Sequence, residues 1–307
     1  MSIPGMEEIE AILDPDIPIP PDVEPDLADF LPRRYMSVSQ LTMYLKCPHS
    51  WELRYVQGKV GRTSARMFQG IFVHKASEVV LNERLLTGRI VSVDTATDAF
   101  STAFEESKQL IEDWEGTDPG TVKDVGVACT RVYHKEAAHK ATPIAVEKTF
   151  HKVIRTSDGK AHLPVLGRID SVQVQAHNEF DYQAIREALL AGQDPTKPKR
   201  LHDTKVSTDK WNDKDLKNDL QFALYAGVEG IPDVQVDNIV KGRAKVPRPH
   251  YEPLTGVVED RDVQHAVRVM EGAARSIALG HFPMTDPSNW WCDEKWCSVW
   301  RYCRGAK

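Results

Sequence analysis

The chain has 307 residues and a mass of 34.6 kDa, with 41% hydrophobic and 27% charged residues, the balance of a soluble globular protein of one large or two modest domains. No apolar run approaches the ~18 residues of a membrane span, and the N-terminus is acidic where a signal peptide would be basic, which argues against membrane residence and secretion and for the cytoplasm. The net charge of −6 is unevenly spread: residues 1–32 hold nine acids, no Lys or Arg and seven of the 19 prolines, so the remaining 36 acids face 39 bases and the body is slightly basic. Such a body is compatible with a polyanionic partner without demanding one.

Residues 1–33 read as an acidic, Pro-rich, disordered or loosely docked tail. From Ser37 the pattern turns helical, with Ser39 as the expected N-cap, a break at Cys47-Pro48 and a second helix after it. Residues 67–86, 94–115 and 121–141 predict further amphipathic helices. Near residue 144 the period changes. AVEKTFHKVI and HLPVLGRIDSVQV, separated by SDGK, predict a hairpin. A short helix (DYQAIREALLAG), a basic loop (DPTKPKR) and a strand (RLHDTKVS) follow. A helix over 213–228, a strand over 234–246 and a long helix over 260–280 complete a mixed α/β core behind a helical N-terminal part.

Asp170 lies on one predicted strand, and Asp203 and Lys205 share one face of another. If the strands pair, two carboxylates and an ammonium converge, a donor set for Mg²⁺ or Mn²⁺ with a lysine to offset charge on a phosphate. The pattern Asp/Glu-x-Lys alone carries little weight. It occurs five times, and only the copy ending at Lys205 lies on a strand soon after an Asp-bearing strand. The plain alternative is a solvated strand face with an ion pair. Gln221 and Tyr225 fall on one helix face at i and i+4, and His74 sits on a helix in RMFQGIFVH.

Taken in order, Ser37-Val-Ser39 with Cys47-Pro48, Gly70 to His74, Gly167-Arg-Ile-Asp170, Asp203-Thr-Lys205 and Gln221 to Tyr225 form a series that resembles the PD-(D/E)XK nuclease superfamily, in particular its RecB-like and Cas4-like branch, over roughly residues 37–303. The resemblance implies a restriction-endonuclease-like α/β fold: a mixed central sheet flanked by helices, a helical part over 37–142, a catalytic core over 143–282 and a cysteine-rich segment over 283–307 closing back on Cys47. It implies metal ligation by His74, Asp170, Asp203 and the carbonyl of Thr204, with Lys205 as the catalytic lysine. Gln221 and Tyr225 would support the site and the DNA, and Glu147 matches an acidic position often seen ahead of the GRID-type strand. Asp203 stands where many superfamily members use Glu. The basic residues Lys197, Lys199 and Arg200 could contact phosphates or remain a solvated loop.

Cys292, Cys297 and Cys303 crowd the C-terminal end, and Cys47 or Cys129 could supply a fourth ligand. The spacing is not the C-x2-C of a zinc ribbon. By the same resemblance, Cys47, Cys292, Cys297 and Cys303 would hold a [4Fe-4S] cluster, although the gap from Cys292 to Cys297 is longer than usual; zinc and unligated thiols are the alternatives. Trp290, Trp291, Trp296, Trp300 and Tyr302 would cover the cluster or stack on single-stranded bases. The resulting expectation is a metal-dependent DNA exonuclease of end processing, recombination or repair, of phage or bacterial origin, acting on single strands or duplex ends as a homo-oligomer or with recombination or repair proteins. The rival is a catalytically silent iron–sulfur DNA-binding module, which should lack one of the acids or the lysine.

Overall fold

The structure, a computed structural model, describes residues 27–157, 161–242 and 248–304. The expectations for residues 1–26, for the hairpin turn at 158–160 and for strand residues 243–246 lie outside the described residues. The helices are α1 (Val38–Lys46), α2 (Pro48–Tyr55), α3 (Ala65–Thr87), α4 (Val93–Ser107), α5 (Pro119–Glu136), α6 (Glu179–Leu190), α7 (Asp213–Lys217), α8 (Leu220–Glu229), α9 (Asp260–Ala278) and α10 (Trp300–Cys303). The strands are β1 (Met36–Ser37), β2 (Pro143–Arg155), β3 (His162–Val174), β4 (Lys199–Ser207), β5 (Asp233–Val240), β6 (His250–Tyr251) and β7 (Leu254–Val257). The chain divides into two units, one of residues 1–63, 150–167 and 263–307, the other of residues 64–149 and 168–262. Strands β2 and β3 have residues in both. Among the described residues, no helix is long and apolar enough to cross a membrane.

The second unit carries a mixed sheet. Here β3 runs antiparallel to β4, with Ser171 opposite His202, and β4 runs parallel to β5, with Asp203 opposite Val236. Strand β5 then pairs antiparallel with the short β6 and β7. A parallel pair needs a crossover, and α7 and α8 supply it, with α8 packing against β4 and β5. Helices α3, α4 and α5 pack on one another around Phe68, Phe72, Phe100 and Phe104, with Phe72 edge-on to Phe100 at 5.9 Å and to Phe104 at 6.0 Å. Gly126 on α5 is required by this packing, because a Cβ there would collide with the Phe100 ring. Helix α3 ends at Gly88, whose φ of +75° is the left-handed cap conformation that glycine adopts without strain. Beside it the buried Arg84 forms a fork to Glu179, at 2.5 and 3.0 Å, and so ties the end of α3 to the first turn of α6.

The first unit is built from the N- and C-terminal segments with the outer part of the hairpin. Met36 pairs in parallel with Val165, and Trp51 is fully buried and stacked on Phe282 at 5.7 Å. Three expectations are corrected. Residues 27–31, assigned to the tail, are packed: Leu27, Ala28 and Leu31 are buried, and three apolar side chains within five residues suffice to seat a 3₁₀ turn. The N-cap of α1 is Ser37, whose hydroxyl accepts the Gln40 N–H, so Ser39 lies inside the helix. The single helix expected over 213–228 is also broken at Asn218-Asp219, where Asn218 ends one helix and Asp219 caps the start of the next.

Candidate metal centre and thiol cluster

Alternation along β4 sends His202 and Thr204 to one face of the sheet and Asp203 and Lys205 to the other. One residue beyond the Ser171–His202 pair, the Asp170 carboxylate accepts the Thr204 N–H at 2.8 Å, so a side chain continues the ladder. Helix α3 brings His74 to the same carboxylate, with Nδ1 3.1 Å from Oδ2. Glu147 on β2 completes the group. One ligand atom from each of His74, Glu147 and Asp170 lies within 4.8 Å of the others. Glu147 sits at φ +49°, an uncommon left-handed conformation for a non-glycine residue, and its carboxylate is also paired with Arg168.

Asp203 stands next to this trio but is held by other partners. Gln221 donates to one oxygen at 2.6 Å, and the Lys205 ammonium lies 2.6 Å from the other. Gln221 reaches it because Asp219 caps α8, accepting the N–H groups of Gln221 at 2.8 Å and Phe222 at 3.0 Å, which fixes where the helix starts. Tyr225, one turn further along α8, is buried and hydrogen-bonded to the Arg168 backbone. His74, Asp170, Asp203, Thr204, Lys205, Gln221 and Tyr225 therefore share one neighbourhood. Glu147, for which the sequence offered only a family position, joins the potential ligands. Lys197 and Lys199 each pair with an acid, Asp181 at 2.8 Å and Asp194 at 2.8 Å, while Arg200 alternates away from Asp203 to the other face.

Burial sets the proton affinities of this group, and neighbouring charges redistribute them. Burial alone would lower His74, but Asp170, by charge and hydrogen bond, and Asp203 raise it to about 9. Burial and the charge of Asp170 push Glu147 up to about 7 and Asp203 up to about 6. Burial would also raise Asp170, yet His74, the Thr204 N–H and Lys205 together hold it below the ordinary carboxylate range. Burial opposes the charge on Lys205, but Asp203 and Asp170 outweigh it and hold the ammonium above its usual value. Lys205 is thus a fixed cation at neutral pH and no base. Three acids and a histidine drawn together in a half-buried place repel or protonate unless a cation joins them, and the N and O donors suit a divalent ion of the Mn²⁺ or Mg²⁺ class.

The approach along α3 is open. Gly70 lies one turn before His74, and a Cβ there would meet nothing within 4 Å. Met67 and Ile71 on the same face are about half exposed. Gly70→Ala should stabilise the protein by about 0.5–1 kcal/mol, because glycine is a poor residue for a helix interior. If substrate lies against this face, the same methyl should reduce turnover. Denaturant unfolding and turnover measured side by side check this, and a stabilised variant of unchanged activity would show that the space is unused.

In the other unit, the C-terminal segment is fastened to the segment around α1 and α2. Trp291 donates its indole N–H to the Lys46 carbonyl at 2.9 Å, Arg62 reaches the Glu294 carbonyl at 2.6 Å, and the Arg62 N–H reaches Ser298 at 2.7 Å. Cys47, Cys292, Cys297 and Cys303 are all free, partly exposed thiols. Burial raises Cys297, and the charges of Cys47, Cys303 and Cys292 raise it further; burial, Cys47 and Cys292 likewise raise Cys303. The four sulfurs are therefore near enough to oppose one another's ionisation. Among the described residues no three of them fall within the 4.8 Å that defines the His74 group. A single zinc ion, at Zn–S ~2.3 Å, would draw its sulfurs to roughly 3.8 Å of one another. Cys129 is separate, fully buried on α5 and pushed up to about 12 by burial.

Comparison with known proteins follows the same lines. The family profile described as the PD-(D/E)XK nuclease superfamily matches residues 35–185. That stretch includes His74, Glu147 and Asp170 and stops before β4. No curated protein gives a significant sequence match. A crystal structure from Eubacterium rectale, solved under the name "Putative exonuclease", is similar at TM-score 0.50 and 12% identity, covering 88% of each chain. The crystal structure of SSO0001 aligns over 99% of this chain and 97% of its own at 12% identity and TM-score 0.40, too low to bear on the argument.

Proposed function

We propose that this chain, whose residues 35–185 match the PD-(D/E)XK nuclease superfamily, is a member of it and a divalent-metal-dependent DNA nuclease that degrades strands from their ends. The observation that carries the reading is the grouping of His74, Glu147 and Asp170 beside the Asp203–Lys205 pair. These residues would hold the ion, with Asp203 and the Thr204 carbonyl as further oxygen donors. When bound, the ion would supply Lewis acidity and a water of lowered pKa. The chain's own groups do the rest. Lys205, permanently protonated, offsets charge developing on the scissile phosphate; Gln221 and Asp203 hold it in place; the buried Tyr225 backs β3 at Arg168. Action from strand ends rests on the family resemblance and on the name of the Eubacterium rectale structure. Labelled linear duplex should be shortened to nucleotides while a covalently closed circle persists; a circle cut as fast as the linear form would show internal cleavage instead.

The proton affinities give a pH dependence with a definite sign. A ligand must lose its proton to bind metal, and a raised pKa extends that competition to higher pH. With His74 at about 9 and Glu147 at about 7, Mn²⁺ affinity should rise roughly tenfold per pH unit between 7 and 9, more steeply below 7, and level off above 9. Mn²⁺ should bind more tightly than Mg²⁺, since the imidazole nitrogen favours the transition metal. Calorimetric titration without DNA checks both points. A flat profile from pH 6 to 9 would exclude His74 from the ligand set.

The four cysteines complete the proposal. Thiols that oppose one another's ionisation become compatible when a cationic cluster joins them, and a four-iron cube spaces its thiolates farther apart than zinc does. We assign them a [4Fe-4S] cluster of structural role.

A further inference from the structure

A second constellation lies in the same unit as the metal centre and takes no part in it. A cavity of about 580 Å³ is lined by Lys140, Arg200, His202, Gln235, Asp237 and Tyr251, among others. Arg200 and His202 are on β4 but alternate away from Asp203, so the cavity opens on the opposite face of the sheet from the catalytic carboxylates. We propose that it binds a phosphate monoester of nucleotide size.

The charge distribution carries the inference. Asp237 is buried and accepts three hydrogen bonds, from His202 Nδ1 at 2.9 Å, Tyr251 at 2.5 Å and Gln235 at 2.7 Å, so its charge is spent within the wall. Two cations of the lining are not spent. Arg200 gives one N–H to Gln235 at 3.3 Å, and its Nε is buried without a partner. Lys140 is exposed above the Tyr251 ring at 5.8 Å, with no acid paired to it among the described residues. A guanidinium and an ammonium offer more donors than the two oxygens of a carboxylate can accept, whereas a phosphate monoester presents three oxygens and up to two negative charges. The volume is in the range of small-molecule sites and far exceeds inorganic phosphate alone, so an organic remainder fits beside Tyr251 and the amide groups.

Two sources share this chemistry, a free nucleoside monophosphate and the 5′-phosphate of a DNA strand. Equilibrium dialysis of the full chain in EDTA, which keeps the metal centre empty, distinguishes them. Labelled dAMP should bind at one per chain and be competed by inorganic phosphate, while deoxyadenosine should not bind. Lys140→Ala, an exposed position, should weaken dAMP roughly tenfold, and Arg200→Gln at least as much, with thermal melting unchanged for the first. Asp170→Ala should bind dAMP as the wild type does. A 5′-phosphorylated oligonucleotide that binds more tightly than dAMP, in a Lys140-dependent way, would identify the strand end as the source; the reverse order would identify the free nucleotide. No binding, equal binding of deoxyadenosine, indifference to both cavity variants, or loss in Asp170→Ala would each overturn the proposal.

Discussion

Asp170→Ala should lower DNA cleavage by on the order of 10²–10³ or more while leaving the fold and most DNA affinity in place. Asp170 accepts the Thr204 N–H and pairs with His74, so its removal would take a ligand from the proposed metal centre and loosen two others. Lys205→Ala should be comparably inactive for a different reason. It leaves the His74, Glu147 and Asp170 group intact, so Mn²⁺ should still bind, but it removes the cation proposed to offset charge on the phosphate and leaves Asp203, with its raised proton affinity, to protonate. The two variants thus separate by metal binding. Cleavage rates in the purified proteins, with Mn²⁺ titrations alongside, check both points; wild-type rates in Asp170→Ala would remove the assignment.

Cys297→Ser should bleach the brown colour of protein purified without oxygen and destabilise it by about 2–5 kcal/mol, the range for losing a cross-link that closes a long loop. Cys47 precedes Cys292 by 245 residues, so a shared cluster would close most of the chain into one loop. The hydrogen bonds from Trp291 and Arg62 that fasten the C-terminal segment are exposed, and each contributes only about 0.5–1.5 kcal/mol. Cys129→Ala, at a fully buried position on α5, should keep the colour. Visible absorption and iron analysis, with about four irons per chain expected for this cluster type, decide the matter. Stoichiometric zinc without iron would refute the cluster and leave the metal centre of the other unit untouched.

The sequence was most legible where periodicity and chemistry coincide. Asp203 and Lys205 stood out from four other Asp/Glu-x-Lys copies because only theirs lies on a strand, and the strand is there, paired with both β3 and β5. Glu147 was less legible as a ligand. A period-two reading places side chains by alternation, and a residue at φ +49° breaks the alternation that would have located it. The two-residue β6 and four-residue β7 are too short to show a period at all. The packing of residues 27–31 was hidden by the acidic, Pro-rich composition around them, because composition averages over the three apolar side chains that do the anchoring. The polar cavity could not be read from the sequence. His202 and Asp237 are 35 residues apart, and only the parallel β4–β5 register, with Thr204 opposite Asp237, brings them together.

The central claim, a metal-dependent nuclease centre, is tested most directly by adding metal back to stripped protein. Wild-type chain freed of divalent ions with EDTA and dialysed should leave end-labelled single- and double-stranded DNA intact. Mn²⁺ should restore degradation of at least one of them to the wild-type protein and not to Asp170→Ala. Equal degradation by the stripped and the Mn²⁺-loaded protein, or none by the loaded wild type on either substrate, would contradict the account.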